Sequence, residues 1–416
     1  MKEASTSQGS PRILLLGYNG ANNTGAEALL QTDIKDLRAL LPGATLTVPT
    51  LNEANLRRYI REDDRLRIAP IPALYFRAID RLVSRHDLVI LVEGSTYMDT
   101  WGSALLWAFL WATARARRRG KPCLAYAVDA GELKPFNRGL LGRPACQPDT
   151  VVTRNNPAAA RLRSWGVKSP IEVTADNAFR YQPDPVDLGW YIKDWPEARN
   201  GVIGLAVVDF YLWPVVMRPL GRRKRCYRWP YYFSRSRART AQSEALADGF
   251  AALADEITET YDRPVALICM EQVDEPLARS IHGRMRRPDR ARVFSAREYG
   301  ASHMTVLLRG LDYLVTSRYH AAVLSLAAQV PQIAVGHDLR LADLYAEAGI
   351  ADEFFVAPEP GEMFNGIRER LARLAAERDR VRAALRLGYE EHLARAGRNK
   401  ELLRDFLAAR GWSVEA

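Results

Sequence analysis

The sequence predicts an α/β fold of two domains, each built on a parallel β-sheet, that face each other across a cleft. Short apolar runs typical of buried strands alternate with longer helical stretches, which is the pattern of successive βαβ units. This alternation stops at residues 182–200, where Pro is frequent, and then resumes. A chain of 416 residues with 48% apolar composition can also fill two hydrophobic cores.

The first predicted domain covers residues 12–181 and follows a polar tail, residues 1–11, that we expect to be disordered. Helices are predicted at residues 26–41, where Pro42 and Gly43 end the pattern, and at residues 103–118. The strands are predicted from apolar runs that are too short for helices, at residues 12–16, 88–92, 123–128, 151–154 and 171–174.

The second predicted domain covers residues 201–361, after a linker at residues 182–200. An insertion at residues 209–239, in which aromatic and basic residues are interleaved, follows its first strand. Residues 362–416 are predicted to form one or two amphipathic C-terminal helices. The strands of this domain are expected at residues 201–208, 264–270, 292–294, 311–316 and 332–335.

Charge and cysteine content narrow the classes of function. Lys and Arg outnumber Asp and Glu by 59 to 49, which fits an acidic substrate, an anionic membrane surface or nucleic acid. The cysteines lack CxxC spacing, and no residue group has the spacing of metal ligands, so neither a metal site nor a disulfide framework is expected. The most apolar run, residues 104–114, is too short to span a bilayer, and the polar start of the chain does not look like a signal peptide. We therefore expect a cytoplasmic protein.

The segment LDYLVTSRYHAAVLSLAAQVPQIAV, residues 311–335, places Ser317, Arg318 and His320 between an apolar strand and an apolar helix. The carboxyl end of a parallel strand is where α/β proteins keep their ligand sites. The planar guanidinium of Arg318 can bind a carboxylate or phosphate, and the imidazole of His320 can move a proton near neutral pH. The pattern therefore favours an anionic substrate and acid–base chemistry, with an ordinary surface turn as the alternative.

Two turns of the first domain carry further candidates. The first strand leads into GYNGANNTGAEALL, residues 17–30, which lacks the glycine spacing of dinucleotide and P-loop motifs. Asn23 and Glu27 either contact a ligand here or cap and favour the start of the helix. The second strand ends in EGSTYMDTWG, where Glu93 and Asp99 can orient the hydroxyls of a sugar, although Asp99 also suits a helix cap.

Taken in order, these turns resemble the motifs of the polysaccharide pyruvyl transferase family over residues 12–356. The segment TSRYHAAVLSLAAQVPQIAV is similar to the family's Arg-x-His-Ala signature, and VTADNAF, residues 173–179, to its Thr-Ala-Asp-Pro-Ala-Phe motif. Further matches are Asn23, Gly25, Glu27, Gly94, Asp99, Arg154 and Gly166. The departures are Ala26 in place of an Asp, Glu93 and Ser95 in place of glycines, Asn155 in place of an acid and Arg340 in place of a lysine. The sequence is therefore identified as a divergent member of this family.

The resemblance implies a GT-B-like fold of two Rossmann-like domains. It also implies a reaction that moves a pyruvyl group from phosphoenolpyruvate to two hydroxyls of one sugar, which forms a cyclic ketal and releases phosphate. Phosphoenolpyruvate is then the donor substrate, and no cofactor is expected. The acceptor would be a sugar of a glycan, or of a lipid-linked glycan precursor for the cell envelope.

The resemblance also assigns roles to residues. Arg318, Ser317 and Arg340 would bind the donor anion, and His320 would act as a general acid or base. Residues facing the acceptor or the cleft would be Asn23, Glu27, Glu93, Asp99, Arg154, Asp176 and Trp229. For Asp176, a helix cap is the alternative role.

The resemblance does not account for the insertion at residues 209–239. Its aromatic residues can stack on sugar faces, while its basic run suits a diphosphate or an anionic lipid. A lipid-linked acceptor, with peripheral contact at the inner face of the membrane, would satisfy both, and a covered loop with solvated charges is the alternative. Nucleic acid is not expected, because it would leave Arg318 and His320 without a role. The residues concerned are Trp213, Tyr227, Trp229, Tyr231 and Tyr232, with Arg222, Arg223, Lys224 and Arg225.

Two other classes of function remain open on the sequence. A sugar-nucleotide-dependent glycosyltransferase on the same GT-B fold would bind nucleotides in its second domain. A non-catalytic protein that binds membranes or nucleic acid would associate in a salt-sensitive way through residues 222–239.

Overall fold

The structure, a computed structural model, describes residues 10–212, 215–223, 226–234, 236–336, 338–359 and 361–415, without the side chains of Tyr227 and Arg228. Most of the predicted tail, and the predicted contacts of Trp213, Lys224, Arg225 and the Tyr227 side chain, lie outside these residues. Contacts between Cα atoms divide the chain into two compact units. The first contains the chain up to Ala21, Leu29–Arg180 and the chain from His392, and the second contains Asn22–Ala28 and Tyr181–Glu391.

In the described part of the first unit, seven strands form one parallel sheet in the order β3-β2-β1-β4-β5-β6-β7. The strands are β1 (Arg12–Leu16), β2 (Thr45–Thr50), β3 (Leu66–Pro70), β4 (Leu88–Leu91), β5 (Cys123–Val128), β6 (Thr150–Thr153) and β7 (Ile171–Val173). The helices are α1 (Thr24–Leu40), whose first turn belongs to the second unit, α2 (Glu53–Leu56), α3 (Phe76–Arg85), α4 (Ser103–Arg118), α5 (Pro135–Leu141) and α6 (Asn156–Ser164), with short 3-10 helices at Pro144–Cys146 and Asn177–Arg180.

This sheet is buried on both faces. Along β1, Ile13 and Leu15 pack into one hydrophobic cluster, while Leu14 packs into another. Successive side chains of a strand point to opposite faces, so a strand covered on both sides has to be apolar throughout. This explains why continuous apolar runs, rather than alternating ones, mark the strands in the sequence.

The described part of the second unit contains a parallel sheet of six strands in the order β13-β12-β8-β14-β15-β16, and an antiparallel sheet of three, β10-β11-β9. The strands are β8 (Ile203–Ala206), β9 (Val215–Met217), β10 (Cys226–Arg228), β11 (Tyr231–Phe233), β12 (Val265–Cys269), β13 (Ala291–Ser295), β14 (Tyr313–Thr316), β15 (Gln332–Val335) and β16 (Phe355–Val356). The helices are α7 (Trp190–Lys193), α8 (Arg237–Tyr261), α9 (Glu275–Arg284), α10 (Ala301–Arg309), α11 (Tyr319–Leu326), α12 (Leu339–Glu347), α13 (Ala351–Phe354), α14 (Met363–Ala376) and α15 (Arg378–Ala408), with 3-10 helices at Pro196–Asn200, Gln272–Asp274 and Pro288–Arg290.

Both parallel sheets have Rossmann-like strand order, so the predicted α/β fold with two such domains is confirmed. In each sheet the order reverses beside the first strand, between β1 and β4 and between β8 and β14. Ligands of such sheets bind outside the carboxyl ends of the strands at this point. Among the described helices, none is long and apolar enough to cross a membrane.

Some boundaries differ from the predicted ones. Residues 182–200 contain α7 and belong to the second unit, because Trp190 packs edge-on against Phe294 and lies against Tyr299. Strands β2, β3, β9, β10, β11 and β16 were not predicted. The apolar run at residues 321–328 predicts a helix, and α11 begins at Tyr319, two residues before that run, a shift that is common at helix ends.

The C-terminal helix α15 begins in the second unit and ends in the first. In the first unit Asn399 donates to Ala175 O and to Asn177 Oδ1, each at 2.8 Å, and accepts from Thr174 Oγ1 at 2.5 Å. Two helical turns earlier, the His392 ring stacks on Phe179 with 4.6 Å between centroids. These contacts attach the helix to the segment after β7.

His392 makes the stability of the first unit depend on pH. Burial lowers the pKa of His392 to about 4, and the positive charge of Arg395, which lies 2.9 Å from Nδ1, adds to this. The unfolded chain binds the proton first, near its ordinary pKa of about 6.5. Stability is therefore complete above about pH 6.5 and is lost as the pH falls towards the folded-state pKa. We expect a loss of about 2 kcal/mol in the free energy of unfolding between about pH 7 and pH 5 from this residue.

Urea unfolding of the wild type and of His392→Phe at both pH values measures this effect. The Phe ring keeps the stack on Phe179 and cannot be protonated, so the variant should lose about 2 kcal/mol less than the wild type. An equal loss in the two proteins would contradict the assignment.

Candidate functional site

The turn after β14 lies at the point where the strand order of the second sheet reverses. Ser317 N donates to Ala206 O at 2.9 Å, which ties the turn to the end of the neighbouring strand β8. Arg318 N donates to Thr316 Oγ1 at 2.9 Å, and Arg318 occupies the N-cap position of α11 without a side-chain capping bond. The backbone of the predicted catalytic turn is therefore fixed on both sides.

The guanidinium of Arg318 is held by two carboxylates from the turn after β12. Its Nε donates to Asp274 Oδ2 at 3.0 Å, a second nitrogen donates to the other oxygen of Asp274, and its third nitrogen lies 3.3 Å from Glu271 Oε2. Three of the five N–H donors of a guanidinium are thus committed to carboxylates. All three side chains are almost completely buried.

The cluster of Arg318, Asp274 and Glu271 contains two acidic groups and one basic group, and the pKa values of Arg318 and Asp274 are shifted from their ordinary values. Burial lowers the pKa of Arg318, but Asp274 and Glu271 together raise it above its ordinary value. Burial raises the pKa of Asp274 to about 6, and the charge of Glu271 adds to the rise while Arg318 opposes it. The cluster therefore takes up a proton at mildly acidic pH and has a negative charge above it.

The opening turn of α1 pairs with the same segment. Thr24 N donates to Met270 O at 2.9 Å, and Gln272 N donates to Asn22 O at 3.0 Å. Between them Asn23 Nδ2 donates to Glu271 Oε2 at 3.2 Å, the oxygen that also contacts Arg318. Asn23 Oδ1 accepts from Ala26 N at 3.1 Å, so Asn23 caps α1 and holds Glu271 at once.

The imidazole of His320 lies directly over Gly25. A Cβ atom at Gly25 would come within 2.1 Å of His320 Nδ1 and 2.2 Å of Cγ, so the histidine position requires glycine there. Tyr319 closes another side, with its ring edge-on at 5.1 Å between centroids. The structure thus brings together Arg318, His320, Asn23 and Ser317 from the predicted site residues.

Arg340 lies beside this turn. Its guanidinium forms a two-point contact with Asp338, with Nε–Oδ1 at 2.9 Å and a terminal nitrogen 2.6 Å from Oδ2. The guanidinium carbon is 5.9 Å from the centre of the Tyr319 ring, within range of a cation–π contact. Asp338 also caps α12 by accepting from Arg340 N at 3.0 Å. Like Arg318, this cation is held by a carboxylate of its own unit.

Two hydroxyls complete the neighbourhood. Within the described residues, the buried Oγ atoms of Ser317 and Thr24 have no hydrogen-bond partner, which is uncommon for buried polar groups. They lie next to the amino termini of α11 and α1, where backbone N–H groups favour anions. The arrangement suits a small anion beside an imidazole. No group of His, Cys, Asp and Glu side chains in the described parts of the chain has the geometry of a metal site.

Glu27 has a different place. Its Oε2 accepts from Ala301 N at 3.0 Å, which caps the amino terminus of α10. The side chain is only 1% exposed. Its carboxylate thus joins the first turn of α1 to α10 within the second unit, and an acceptor contact of Glu27 stays a prediction.

In the first unit, Arg154 and Asp176 form a buried group at the carboxyl ends of the strands. Arg154 Nε donates to Asp129 Oδ2 at 2.8 Å, another nitrogen donates to Asp176, and none of the three side chains has exposed surface. Asp176 Oδ1 also accepts from Ala178 N at 2.7 Å, so it caps the 3-10 helix that follows, as in the alternative prediction. Gly94 gives the guanidinium its room, because a Cβ there would lie 2.5 Å from it.

The remaining candidates lie in turns. Glu93 accepts from Tyr18 N at 3.3 Å and from Ser95 N at 3.0 Å, so it joins the turns after β1 and β4. Asp99 accepts from Asn137 Nδ2 at 2.6 Å and from Lys134 N at 3.1 Å, which ties it to the start of α5. Trp229 lies in the turn between β10 and β11 with 56% of its surface exposed. Acceptor contacts of these residues remain predictions.

Glu271, Asp274 and the steric role of Gly25 were not predicted. Glu271 and Asp274 stand in CMEQVDEP, directly after a buried strand, where the rule that located Arg318 also applies. That position was the available signal for the two acids. The closeness of Gly25 to His320 has no signal in a single sequence, because the two are 295 residues apart in the chain.

The chain is similar to a known protein family in sequence and to known proteins in structure. The family model described as polysaccharide pyruvyl transferase matches residues 23–338. A search of curated protein sequences finds no significant match. Similar solved structures are a putative UDP-N-acetylglucosamine 2-epimerase from Listeria monocytogenes (13% identity, TM-score 0.61, 97% of this chain and 98% of that chain), Anabaena HepE in complex with UDP-glucose (12%, 0.58, 96% and 100%) and UDP-GlcNAc 2-epimerase from Neisseria meningitidis bound to UDP-GlcNAc (11%, 0.58, 96% and 99%).

At these identities the similar structures establish the fold alone, and they confirm the predicted GT-B-like class. The family model covers most of the chain and includes both the Asn23 turn and the Arg318–His320 turn. The chain therefore belongs to the polysaccharide pyruvyl transferase family and is a transferase.

Proposed function

We propose that this protein transfers a pyruvyl group from phosphoenolpyruvate to two hydroxyls of one sugar, in a glycan or a lipid-linked glycan precursor, and forms a ketal. The observation that carries the proposal is the turn at Arg318 and His320, which places a fixed cation and a proton-transfer group beside two helix amino termini. An anionic enol phosphate requires both groups, a cation to bind it and an acid or base to transfer its protons.

The donor would bind through Arg318, Arg340 and the Ser317 hydroxyl. Both cations are already paired with carboxylates, so a donor has to add to these pairs or displace them. The pairing keeps each guanidinium in one orientation before the donor arrives, which reduces the ordering cost of binding. A bound phosphate or carboxylate would also raise the pKa of Asp274 further, so donor binding would be accompanied by proton uptake.

The reaction balances without a cofactor. A proton adds to the methylene carbon of phosphoenolpyruvate, and a sugar hydroxyl attacks the resulting cationic carbon. The C–O bond to phosphate then breaks, and the second hydroxyl closes the ring. Of the two hydroxyl protons, one ends on the new methyl group and the other on the released phosphate.

His320 would move these protons as general acid or base. Its ring is confined between Gly25 and Tyr319, so its nitrogens face a fixed direction. General acid–base catalysis requires such positioning, since proton transfer occurs only over hydrogen-bond distances. Asn23 would contribute indirectly, by fixing Glu271 and through it Arg318.

The first prediction concerns His320. His320→Ala should lower acceptor-dependent phosphate release from phosphoenolpyruvate by about a hundredfold to ten-thousandfold, because a general acid or base is lost. Thermal stabilisation by phosphoenolpyruvate should persist, since the arginines remain. The measurement combines a thermal shift assay with phosphate release over a panel of oligosaccharide and lipid-linked acceptors.

His282→Ala, on α9, is the matched control and should leave both signals unchanged. Full activity of His320→Ala would overturn the assignment. Stabilisation by UDP-sugars, with none by phosphoenolpyruvate, would instead support a glycosyltransferase.

The second prediction uses Gly25. Gly25→Ala places a Cβ where the His320 ring lies, so the imidazole has to move, and we expect kcat to fall by about a hundredfold. Gly283→Ala is the control, because it also adds one methyl group to a helix but meets nothing within 4 Å. Similar kcat values for the two variants would show that the position of His320 does not matter.

The third prediction separates the structural part of Arg318 from its proposed role in binding. Arg318→Met leaves Glu271 and Asp274 buried without their cation, which should lower the free energy of unfolding by about 3 to 5 kcal/mol at about pH 8. The loss should be smaller at about pH 5, because the raised pKa of Asp274 lets it bind a proton there.

Chemical denaturation at both pH values tests this, with Arg287→Met as the control. Arg287 is paired with Asp289 at an exposed site, with side chains 57% and 62% exposed, so its removal should have no measurable effect. A loss for Arg318→Met that is the same at both pH values would contradict the role of Asp274.

A further inference from the structure

The three-stranded antiparallel sheet of β9, β10 and β11 presents an unusual surface at one end. Residues 217–223 and Trp229, which we call the basic tip, lie together there. Arg218 N donates to Pro230 O at 2.8 Å, and Trp229 Nε1 donates to Pro219 O at 3.2 Å. Tyr232 supports the tip from below, since its ring lies where a Cβ of Gly221 would be, at 2.5 Å.

The basic tip exposes large apolar side chains. Leu220 is 85% exposed, Met217 is 62% exposed and Trp229 is 56% exposed. Single exposed apolar residues are ordinary on a protein surface, but three close together in the basic tip indicate a surface that another phase or molecule covers. Arg218, Arg222 and Arg223 are exposed on the same segment.

The arginines of the basic tip differ from most others in the chain. Arg318, Arg340 and many surface arginines are paired with a carboxylate. Within the described residues, Arg218, Arg222 and Arg223 form no ion pair. Residues 209–239 contain nine Lys and Arg and one acidic residue, so the segment has little to neutralise them internally. Their counter-charge has to come from outside the protein.

The combination of apolar and basic side chains favours an anionic membrane as the partner. A tryptophan and aliphatic side chains next to unpaired arginines are the composition of segments that lie in the interface of an anionic bilayer, where apolar groups reach the acyl boundary and cations meet headgroups. Single-stranded nucleic acid would need several exposed aromatic faces for stacking, whereas Tyr232 is buried and Trp229 is the aromatic residue exposed among the described side chains of the tip.

We propose that the basic tip docks the protein onto an anionic membrane surface. The inference is independent of the donor chemistry, because it rests on a different part of the second unit. It also fits an acceptor that is carried on a lipid, since an enzyme on the membrane surface meets such a substrate at high local concentration.

The test is flotation of the full-length protein with vesicles of phosphatidylcholine, or of equal parts phosphatidylcholine and phosphatidylglycerol. The wild type should bind only the anionic vesicles and should be released by salt. Replacing Arg218, Arg222 and Arg223 with Gln should weaken binding by about a hundredfold, at roughly fivefold per arginine. A second variant, with Met217→Ser and Leu220→Ser, should also lose binding while keeping the charge.

The matched control replaces Arg77, Arg81 and Arg85 with Gln, which removes the same charge from the exposed side of α3. It should bind as the wild type does. Equal losses in the two triple variants would mean that net charge alone attracts the protein, and would overturn the proposal. Binding to single-stranded DNA without binding to anionic vesicles would overturn it as well. Phosphate release with a soluble acceptor should be unchanged in the variant with Met217→Ser and Leu220→Ser, so failure of this proposal is distinguishable from failure of pyruvyl transfer.

Discussion

The carboxylate of Glu271 is the contact on which the arrangement of the site depends. One of its oxygens accepts from Asn23 and lies within ion-pair distance of Arg318, so a single buried group connects the opening of α1 with the turn after β14. A buried charge is costly unless it is paired and hydrogen-bonded. Glu271 therefore satisfies both Asn23 and Arg318, and the loss of Arg318 would leave the buried charge of Glu271 without its cation.

The same logic explains why the site uses glycine at residue 25. Once Asn23 and Thr24 are fixed to residues 270–272, the backbone of α1 passes directly beneath His320. No side chain fits between helix and imidazole. The glycine thus has a steric purpose in the middle of a first helical turn, where its low helix propensity would otherwise be a disadvantage.

How far the sequence determines this picture depends on the range of the interactions. β1, β5, α4 and β15 have their predicted boundaries, because each is marked by a local apolar or helical pattern. The Arg318 turn is also local, since a strand followed by a helix defines its position. The contact of Asn23 with Glu271 joins residues 248 positions apart in the chain. The end of α15 likewise packs in the first unit, although the helix begins in the second. No pattern along one sequence specifies such choices.

The discontinuity of the second unit has a consequence for how this protein can be divided. A fragment of residues 181–391 would contain the whole second sheet but would lack Asn22–Ala28. Met270 O and the N–H of Gln272 would then lose their partners, and open space would replace the wall beside His320. The seven missing residues act as a built-in peptide ligand of the unit that carries Arg318. The fragment of residues 181–391 alone is therefore an incomplete unit, and a peptide of residues 22–28 is the natural molecule with which to restore it.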